Sequence, residues 1–201
     1  MKKFLFWLAL PGWTLAVIVH VLSIAGMDLN EKIPFIWSLH IGIFVVWIPT
    51  IFSLRKGEEF KQFQKSSLLT RMNPLSLFKA IFKTTPHWLT AIAVIGFFYA
   101  IINFLLFALS QPAVPDAHNG QYFLENHGQI IRTLTEQEYH HYQANQLRAF
   151  SGHWIAFYGA AMAVLFPFKV NPKEYQIVYR NVTAQMSDGL GIILLITSCE
   201  K

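Results

Sequence analysis

Charged side chains and cysteine are both scarce in this sequence. Asp, Glu, Lys and Arg make up 13% of its 201 residues, about half of the roughly 25% that is usual in soluble domains. This shortage excludes a water-soluble enzyme with a charged surface. The one cysteine, Cys199, excludes an intrachain disulfide framework and a cysteine-based zinc ribbon. Disorder is excluded as well, because 18 Phe, 7 Tyr and 6 Trp residues would then have to remain in water.

Four stretches of the chain contain no charged residue, and their lengths are close to what a helix needs to cross the hydrocarbon core of a bilayer. We predict transmembrane helices at about residues 4–25, 33–54, 86–110 and 150–168. The predicted fold is therefore an all-α membrane protein, in which four transmembrane helices form one bundle and one membrane domain.

The charged residues between these spans predict the orientation of the chain. The second loop, residues 55–85, has seven basic residues against two acidic ones, whereas the third loop, residues 111–149, has two basic against four acidic. The positive-inside rule then places the second loop, both termini and the tail, residues 169–201, in the cytoplasm. The third loop lies outside. The basic excess reflects this orientation and does not indicate a nucleic-acid-binding surface.

The two long loops carry local folding patterns. In residues 55–85, apolar side chains recur at helical spacing among lysines, which predicts basic amphipathic helices on the lipid headgroups. The alternative is a docking site for a cytoplasmic partner. In the outer loop, residues 121–125 and 129–134 are the predicted strands of a β-hairpin. The stretch that contains Pro112, Pro115 and Asp116 is predicted to be irregular.

A helix should follow the hairpin directly. Thr135 and Glu138 have the spacing of a capping box, which marks the first turn of a helix. We expect this helix to run towards or into the fourth span and to bend at Ser151 and Gly152. The outer loop is thus predicted to be a small cap made of a β-hairpin and a helix.

The start of the fourth span carries a resemblance to known proteins. The stretch Arg148-Ala149-Phe150-Ser151-Gly152-His153-Trp154 resembles a group of small bacterial multi-pass membrane proteins that has no established activity. Pro86-His87-Trp88, ahead of the third span, resembles the same group. The resemblance implies a bacterial inner-membrane protein, and it transfers no catalytic residues.

Known catalytic signatures are absent from the sequence. It contains no glycine-rich phosphate loop, no His-Glu-x-x-His zinc motif and no Gly-x-Ser-x-Gly elbow. The predicted spans contain no Asp or Glu, which argues against a carboxylate path for protons or cations. The sequence therefore favours a non-enzymatic protein that is structural or accessory to a partner. Besides the lipid bilayer, that partner is another membrane protein or a second copy of the chain.

Four polar side chains, one from each predicted span, lie at a similar depth: His20, His40, Asn103 and His153. Each is about 4 to 6 residues from the midpoint of its span towards the outside, or roughly 6–9 Å at 1.5 Å per residue. His20, Asn103 and His153 share helix faces with small residues, which predicts that they point into the bundle. The face of His40 carries larger side chains, so its direction is left open.

Two interpretations of this polar layer follow. In the first, the four groups hydrogen-bond to one another, to backbone carbonyls or to a trapped water, and they hold the helices in register. In the second, His20, His40 and His153 bind a transition metal or haem, with Asn103 orienting one ring. Arg148 could then hold a haem propionate or a lipid phosphate, or it could simply extend to the headgroups. The second interpretation makes the chain a redox or metal-binding membrane protein.

Overall fold

A computed structural model describes residues 2–82, 85–111 and 113–166, and these residues form seven helices and three strands. The predicted cytoplasmic tail, residues 169–201 with Cys199, lies outside the described residues. The elements in chain order are α1 (Lys2–Ile24), α2 (Ser38–Arg55), α3 (Glu58–Lys65), α4 (Leu68–Met72), α5 (Pro74–Phe82), α6 (His87–Ser110), β1 (Val114–His118), β2 (Gln121–Asn126), β3 (Gln129–Leu134) and α7 (Glu136–Leu165).

Three helices of the described part are long and apolar enough to cross a membrane, namely α1, α2 and α6. They correspond to the first three predicted spans. Helix α2 begins at Ser38 and not at residue 33, because Pro34 to Trp37 form turns. The Trp37 indole donates a hydrogen bond to the Asn30 side chain at 3.0 Å, which ties this segment to the preceding loop.

The predicted fourth span falls in the second half of α7, which is not among those three helices. Helix α7 packs against α1, α6 and α2, and its residues from Ala144 onwards are mostly buried. Helices α1, α2 and α6 instead expose large apolar side chains. Because its neighbours cover most of its surface, α7 can carry small and polar residues that would be unfavourable on an exposed apolar helix.

Glycines allow the close approach of the helices around α7. A methyl group added at Gly12 of α1 would lie 2.6 Å from Cε1 of Tyr158, a separation that no real side chain tolerates. The Tyr158 hydroxyl extends past α1 and donates to the Leu39 carbonyl of α2 at 2.8 Å. One buried tyrosine of α7 therefore contacts both neighbouring helices.

The predicted bend at Ser151 and Gly152 is wrong, because α7 is continuous from Glu136 to Leu165. The Ser151 hydroxyl donates to the Arg148 carbonyl within the same helix at 3.1 Å. A methyl group at Gly152 would lie 2.6 Å from Nδ2 of Asn103. This glycine therefore makes room for a neighbouring side chain and does not break the helix.

The outer loop contains one more strand than predicted. The hairpin of β2 and β3 is confirmed, and β1 pairs antiparallel with β2 to give a sheet of order β1-β2-β3. The stretch around Pro115 is thus a strand and not irregular. Proline is accepted there because β1 is an edge strand. The missed signal was Asn119-Gly120, whose positive φ values of 54° and 75° form the tight turn between β1 and β2.

The cap has a small apolar core of its own and is tied to the loop between α1 and α2. Ala113, Leu124 and Leu134 are buried there against three tyrosines, Tyr122, Tyr139 and Tyr142. His140 of α7 lies with Nδ1 2.8 Å from a carboxylate oxygen of Asp28. Asn30 donates to the Gln143 side chain at 3.1 Å. These contacts fasten the α1–α2 loop to the first half of α7.

The basic loop is helical, as its sequence pattern predicts. Helices α3, α4 and α5 follow one another, and α5 begins at Pro74. The Asn73 side chain accepts a hydrogen bond from the Leu75 amide at 2.9 Å, which caps that helix start. Leu68, Leu69 and Leu75 are exposed.

The predicted capping box at the start of α7 is confirmed, and it makes the cap sensitive to acid. Glu138 accepts from the Thr135 amide at 2.8 Å and from Arg132 Nη1 at 2.9 Å. These bonds, first of all the one from the Thr135 backbone, hold the pKa of Glu138 below its ordinary value. The stabilisation is therefore complete above the ordinary glutamate pKa and is lost as the pH falls through the lowered one.

We expect Glu138→Gln to lower the protection of the first-turn amides of α7 at neutral pH. The variant should then lose little further protection as the pH falls below the ordinary glutamate pKa, where the wild type loses it. Amide hydrogen exchange, corrected for intrinsic rates, measures this. Glu31→Gln, at an exposed position in the α1–α2 loop, is the control and should retain the wild-type pH dependence. An unchanged pH dependence in Glu138→Gln would contradict the role given to this carboxylate.

Candidate functional site

The most deeply buried polar cluster surrounds His20, where α1, α6 and α7 meet. The His20 side chain is only 4% exposed. Its Nδ1 lies 2.8 Å from Oγ of Ser151 on α7, and its Nε2 forms a short hydrogen bond with the Tyr99 hydroxyl on α6. The imidazole therefore joins three helices.

The direction of each hydrogen bond in this cluster follows from counting donors. The Ser151 hydroxyl has one hydrogen and gives it to the Arg148 carbonyl, so its oxygen accepts from His20 Nδ1. A neutral imidazole protonated at Nδ1 has its lone pair at Nε2, which accepts from the Tyr99 hydroxyl. The chain of bonds thus runs from Tyr99 through His20 and Ser151 to a backbone carbonyl. Both nitrogens of His20 are used.

Asn103 of α6 approaches the same carbonyl from the other side. It is 2% exposed, and its Nδ2 donates to the carbonyls of Arg148 at 3.1 Å and Ala149 at 3.3 Å. These bonds hold α6 against the turn of α7 that contains Ser151. Among the described residues, Oδ1 of Asn103 is a buried acceptor without a partner.

His40 and His153 lie outside this cluster and have different partners. Nδ1 of His40 accepts from the indole of Trp154 at 3.0 Å, and Trp154 is completely buried. Nδ1 of His153 lies 3.0 Å from the Ala149 carbonyl in its own helix. Both rings contact Phe150, with ring centroids 6.2 Å and 6.5 Å from its ring. Both imidazoles are half-buried.

Arg148 contributes to the layer mainly through its backbone. Its carbonyl accepts from Asn103 and Ser151, whereas its Nε donates to the Asn145 side chain at 3.1 Å. Asn145 in turn donates to Gln111 at 2.8 Å. This polar series runs along the side of α7 towards the cap. The prediction that Arg148 binds a propionate or a phosphate stays a prediction.

The structure does not bring the three histidines together as one set of metal ligands. In the described ranges, the group of His, Cys, Asp or Glu side chains with ligand atoms within 4.8 Å of one another is Asp116, His118 and Glu125, at the surface of the cap. The nitrogens of His20 are already occupied by Ser151 and Tyr99. The four side chains of the polar layer form no hydrogen bond to one another. Asn103 and His153 bond to backbone carbonyls, as the first interpretation allows, whereas His20 and His40 bond to Ser151, Tyr99 and Trp154. The metal or haem site stays a prediction.

A cavity of about 610 Å³ lies among α3, α4, α5 and the start of α6. Apolar side chains such as Phe63 and Phe78 line it together with Thr70, Lys79 and Thr90. It is an open cleft of mixed polarity beside the basic helices, and its lining residues do not include those of the His20 cluster.

Three important residues of the layer were missed by sequence reasoning. The sequence pattern at Ser151 predicts only a bend, and Trp154 stands out only as part of the stretch that resembles other membrane proteins. Tyr99 lies one helical turn before Asn103, so helical spacing alone could have indicated it. No comparison of the chain, with protein-family models, curated proteins or solved structures, gives a match.

We expect Ser151→Ala to lower the free energy of unfolding by about 1–3 kcal/mol, because it leaves the buried Nδ1–H of His20 without an acceptor. Thermal unfolding in detergent measures this. Ser23→Ala is the matched control, since Ser23 is equally buried but its hydroxyl bonds only to the Val19 carbonyl in its own helix. It should have a much smaller effect.

The same measurement on His20→Ala, and on both substitutions together, completes a double-mutant cycle. The two losses should not add, because each variant breaks the same hydrogen bond. Strict additivity, or an effect of Ser23→Ala as large as that of Ser151→Ala, would contradict the proposed chain of hydrogen bonds.

Proposed function

We propose that this chain is a four-helix protein of the bacterial inner membrane, with a non-enzymatic role that is structural or accessory to a membrane partner. The four spans are α1, α2, α6 and the second half of α7. The cap lies outside, and helices α3 to α5 lie at the cytoplasmic face with both termini. The distribution of basic residues supports this orientation, with seven in residues 55–85 and two in residues 111–149.

The packing of α7 supports its place as the fourth span. Its second half lies against α1, α2 and α6, each of which is apolar and long enough to cross a bilayer. A helix enclosed by three such helices must share their depth in the membrane. Ser151, Gly152 and Gly159 of this half are buried against the neighbouring helices.

The hydrogen bonding of the His20 cluster is the observation that best supports a structural role. His20, Ser151 and Tyr99 are the side chains best suited to nucleophilic or proton-transfer chemistry in the core, and their polar atoms are bonded to one another and to a backbone carbonyl. Ser151 is completely buried. A serine that is enclosed by three helices is in no position to meet a substrate, whereas it joins those helices well.

Helices α3 to α5 support an anchoring role at the cytoplasmic face. Their exposed leucines and Met72 lie on helices that also carry Lys61, Lys65 and Arg71. A basic amphipathic segment of this kind lies on anionic headgroups, with its apolar side chains in the acyl region. In this proposal, the cleft beside Lys79 lies at the level of the headgroups.

The orientation predicts which positions react with a membrane-impermeant thiol reagent. In a Cys199→Ser background, Gln137→Cys in the cap should be labelled in intact spheroplasts from outside. Gln64→Cys, equally exposed on α3, should be labelled only after the membrane is opened. Labelling of Gln137→Cys solely from the cytoplasmic side would overturn the topology.

The accessory role predicts that the tagged protein leaves the membrane as part of a complex. Purification in mild detergent should give a particle larger than one chain, with its partner in constant stoichiometry. An unrelated tagged four-helix membrane protein, purified in parallel, identifies the proteins that co-purify non-specifically. A strictly monomeric, partner-free protein that turns over a substrate would contradict this role.

A further inference from the structure

Helix α7 is covered by described neighbours on three sides, and its fourth side is only partly covered. There the His153 ring packs on Phe104 of α6, with ring centroids 5.0 Å apart, and the Phe157 ring on Trp47 of α2, with centroids 6.2 Å apart. Trp154 and Tyr158 point towards α2, Ser151 towards α1, and Gly152 towards α6. Residues advance by about 100° around a helix, so His153, Phe157 and Ala160 share the remaining direction. We call these three residues the open face. Phe157 is 46% exposed.

Two imidazole nitrogens beside the open face have opposite hydrogen-bonding character. Nδ1 of His40 accepts from the Trp154 indole, so in the neutral ring the proton is on Nε2, which is a donor. Nδ1 of His153 faces a carbonyl oxygen, so it carries the proton and Nε2 is an acceptor. Within the described part of the chain, neither Nε2 has a hydrogen-bond partner.

The depth of these two nitrogen atoms in the proposed membrane bundle makes it unfavourable to leave them without hydrogen bonds. Hydrocarbon offers no hydrogen bonds, so an unpaired donor or acceptor at this depth is unfavourable unless another protein group pairs with it. A metal ion does not suit both rings, because the protonated Nε2 of His40 has no lone pair for a ligand bond. The arrangement calls for a surface that offers one acceptor and one donor.

A second copy of the chain offers this surface. We propose that the open face binds a second copy about a two-fold axis along the membrane normal, with Nε2–H of His40 in each copy donating to Nε2 of His153 in the other. The proposal rests on the membrane bundle of the proposed function. Such an axis keeps every residue at its own depth, and His40 and His153 lie at nearly the same depth by position in their spans. The contact is self-complementary, as a two-fold interface must be.

The side chains around the two histidines suit a helix-to-helix contact. Phe44 of α2 and Phe157 of α7 are exposed on either side, and Ala160 is small enough for close approach. Phe150 lies against both imidazoles, which fixes their orientation. Two hydrogen bonds and the aromatic area between them would cover the fourth side of α7.

Disulfide cross-linking in native membranes tests the contact without changing either histidine. In the Cys199→Ser background, Phe157→Cys should form a linked dimer on mild oxidation. Val21→Cys is the control, because it lies on the outer surface of α1 and is 57% exposed. It should remain monomeric. Equal cross-linking at both positions, or linkage of Phe157→Cys to a different protein, would overturn the proposal.

The dissociation constant of the dimer, measured by dilution in detergent micelles, tests the hydrogen bonds. His40→Ala and His153→Ala should each weaken the dimer by about eightfold, because each removes both symmetric bonds at roughly 0.6 kcal/mol apiece. The double variant should be no weaker than either single one. His127→Ala, in the turn between β2 and β3, should leave the constant unchanged.

The possible failures can be told apart. A wild-type protein that is monomeric at all concentrations in both micelles and lipid nanodiscs would overturn the dimer, while the thiol labelling of Gln64→Cys and Gln137→Cys would still support the membrane bundle. A dimer that forms unchanged in both histidine variants would overturn the proposed pairing. Reversed thiol labelling would remove the depth argument and the bundle together.

Discussion

The enclosure of α7 by α1, α2 and α6 is the constraint on which the rest of the structure depends. The second half of α7 contains two glycines, a serine, a histidine and a run of alanines, a composition that gains little from contact with lipid tails. It gains much more from close packing, because small residues let neighbouring backbones approach. At Gly12 and Gly152, side chains of neighbouring helices, Tyr158 and Asn103, occupy the space that a methyl group would need.

Close packing of this kind also determines where polar groups are allowed. Without water in the core, a buried donor or acceptor that lacks a partner inside the protein is unfavourable. The Arg148 carbonyl meets this need for two side chains at once, since both Asn103 and Ser151 donate to it. One turn of α7 thereby gathers α1 and α6 around a single backbone group.

The parts of this arrangement that depend on composition could be predicted from the sequence, and those that depend on contact could not. Lack of charge located α1, α2 and α6, and residue spacing located the capping box at Thr135. Periodicity gave His20, Asn103 and His153 an inward direction, which agrees with the burial of His20 and Asn103 but not with the half-buried His153. It did not give His40 a direction, because that depends on the Trp154 indole from another helix. Strand β1 was not predicted because it contains Pro115. Proline is unfavourable only in interior strands, and the sequence does not say which strand is at the edge.

Ser151 and Gly152 show why the local sequence gave a wrong prediction of a bend. In a soluble helix, serine followed by glycine weakens the hydrogen-bonded ladder and favours a bend. Here the serine bonds to the carbonyl three residues earlier and also to His20, while the glycine receives Asn103. Both residues are required by neighbours that are more than forty positions away in sequence. Such requirements become visible only once the helices are assembled.

The continuity of α7 links the cap to the polar layer. Its first half is held by the α1–α2 loop, through Asp28 on His140 and Asn30 on Gln143. Its second half is held by α1 itself, through His20 on Ser151. A shift of α7 by one residue would turn it by about 100° and would break the contacts at both ends together. The cap therefore does more than cover the bundle: by fixing the rotation of α7, it decides that Ser151 faces His20.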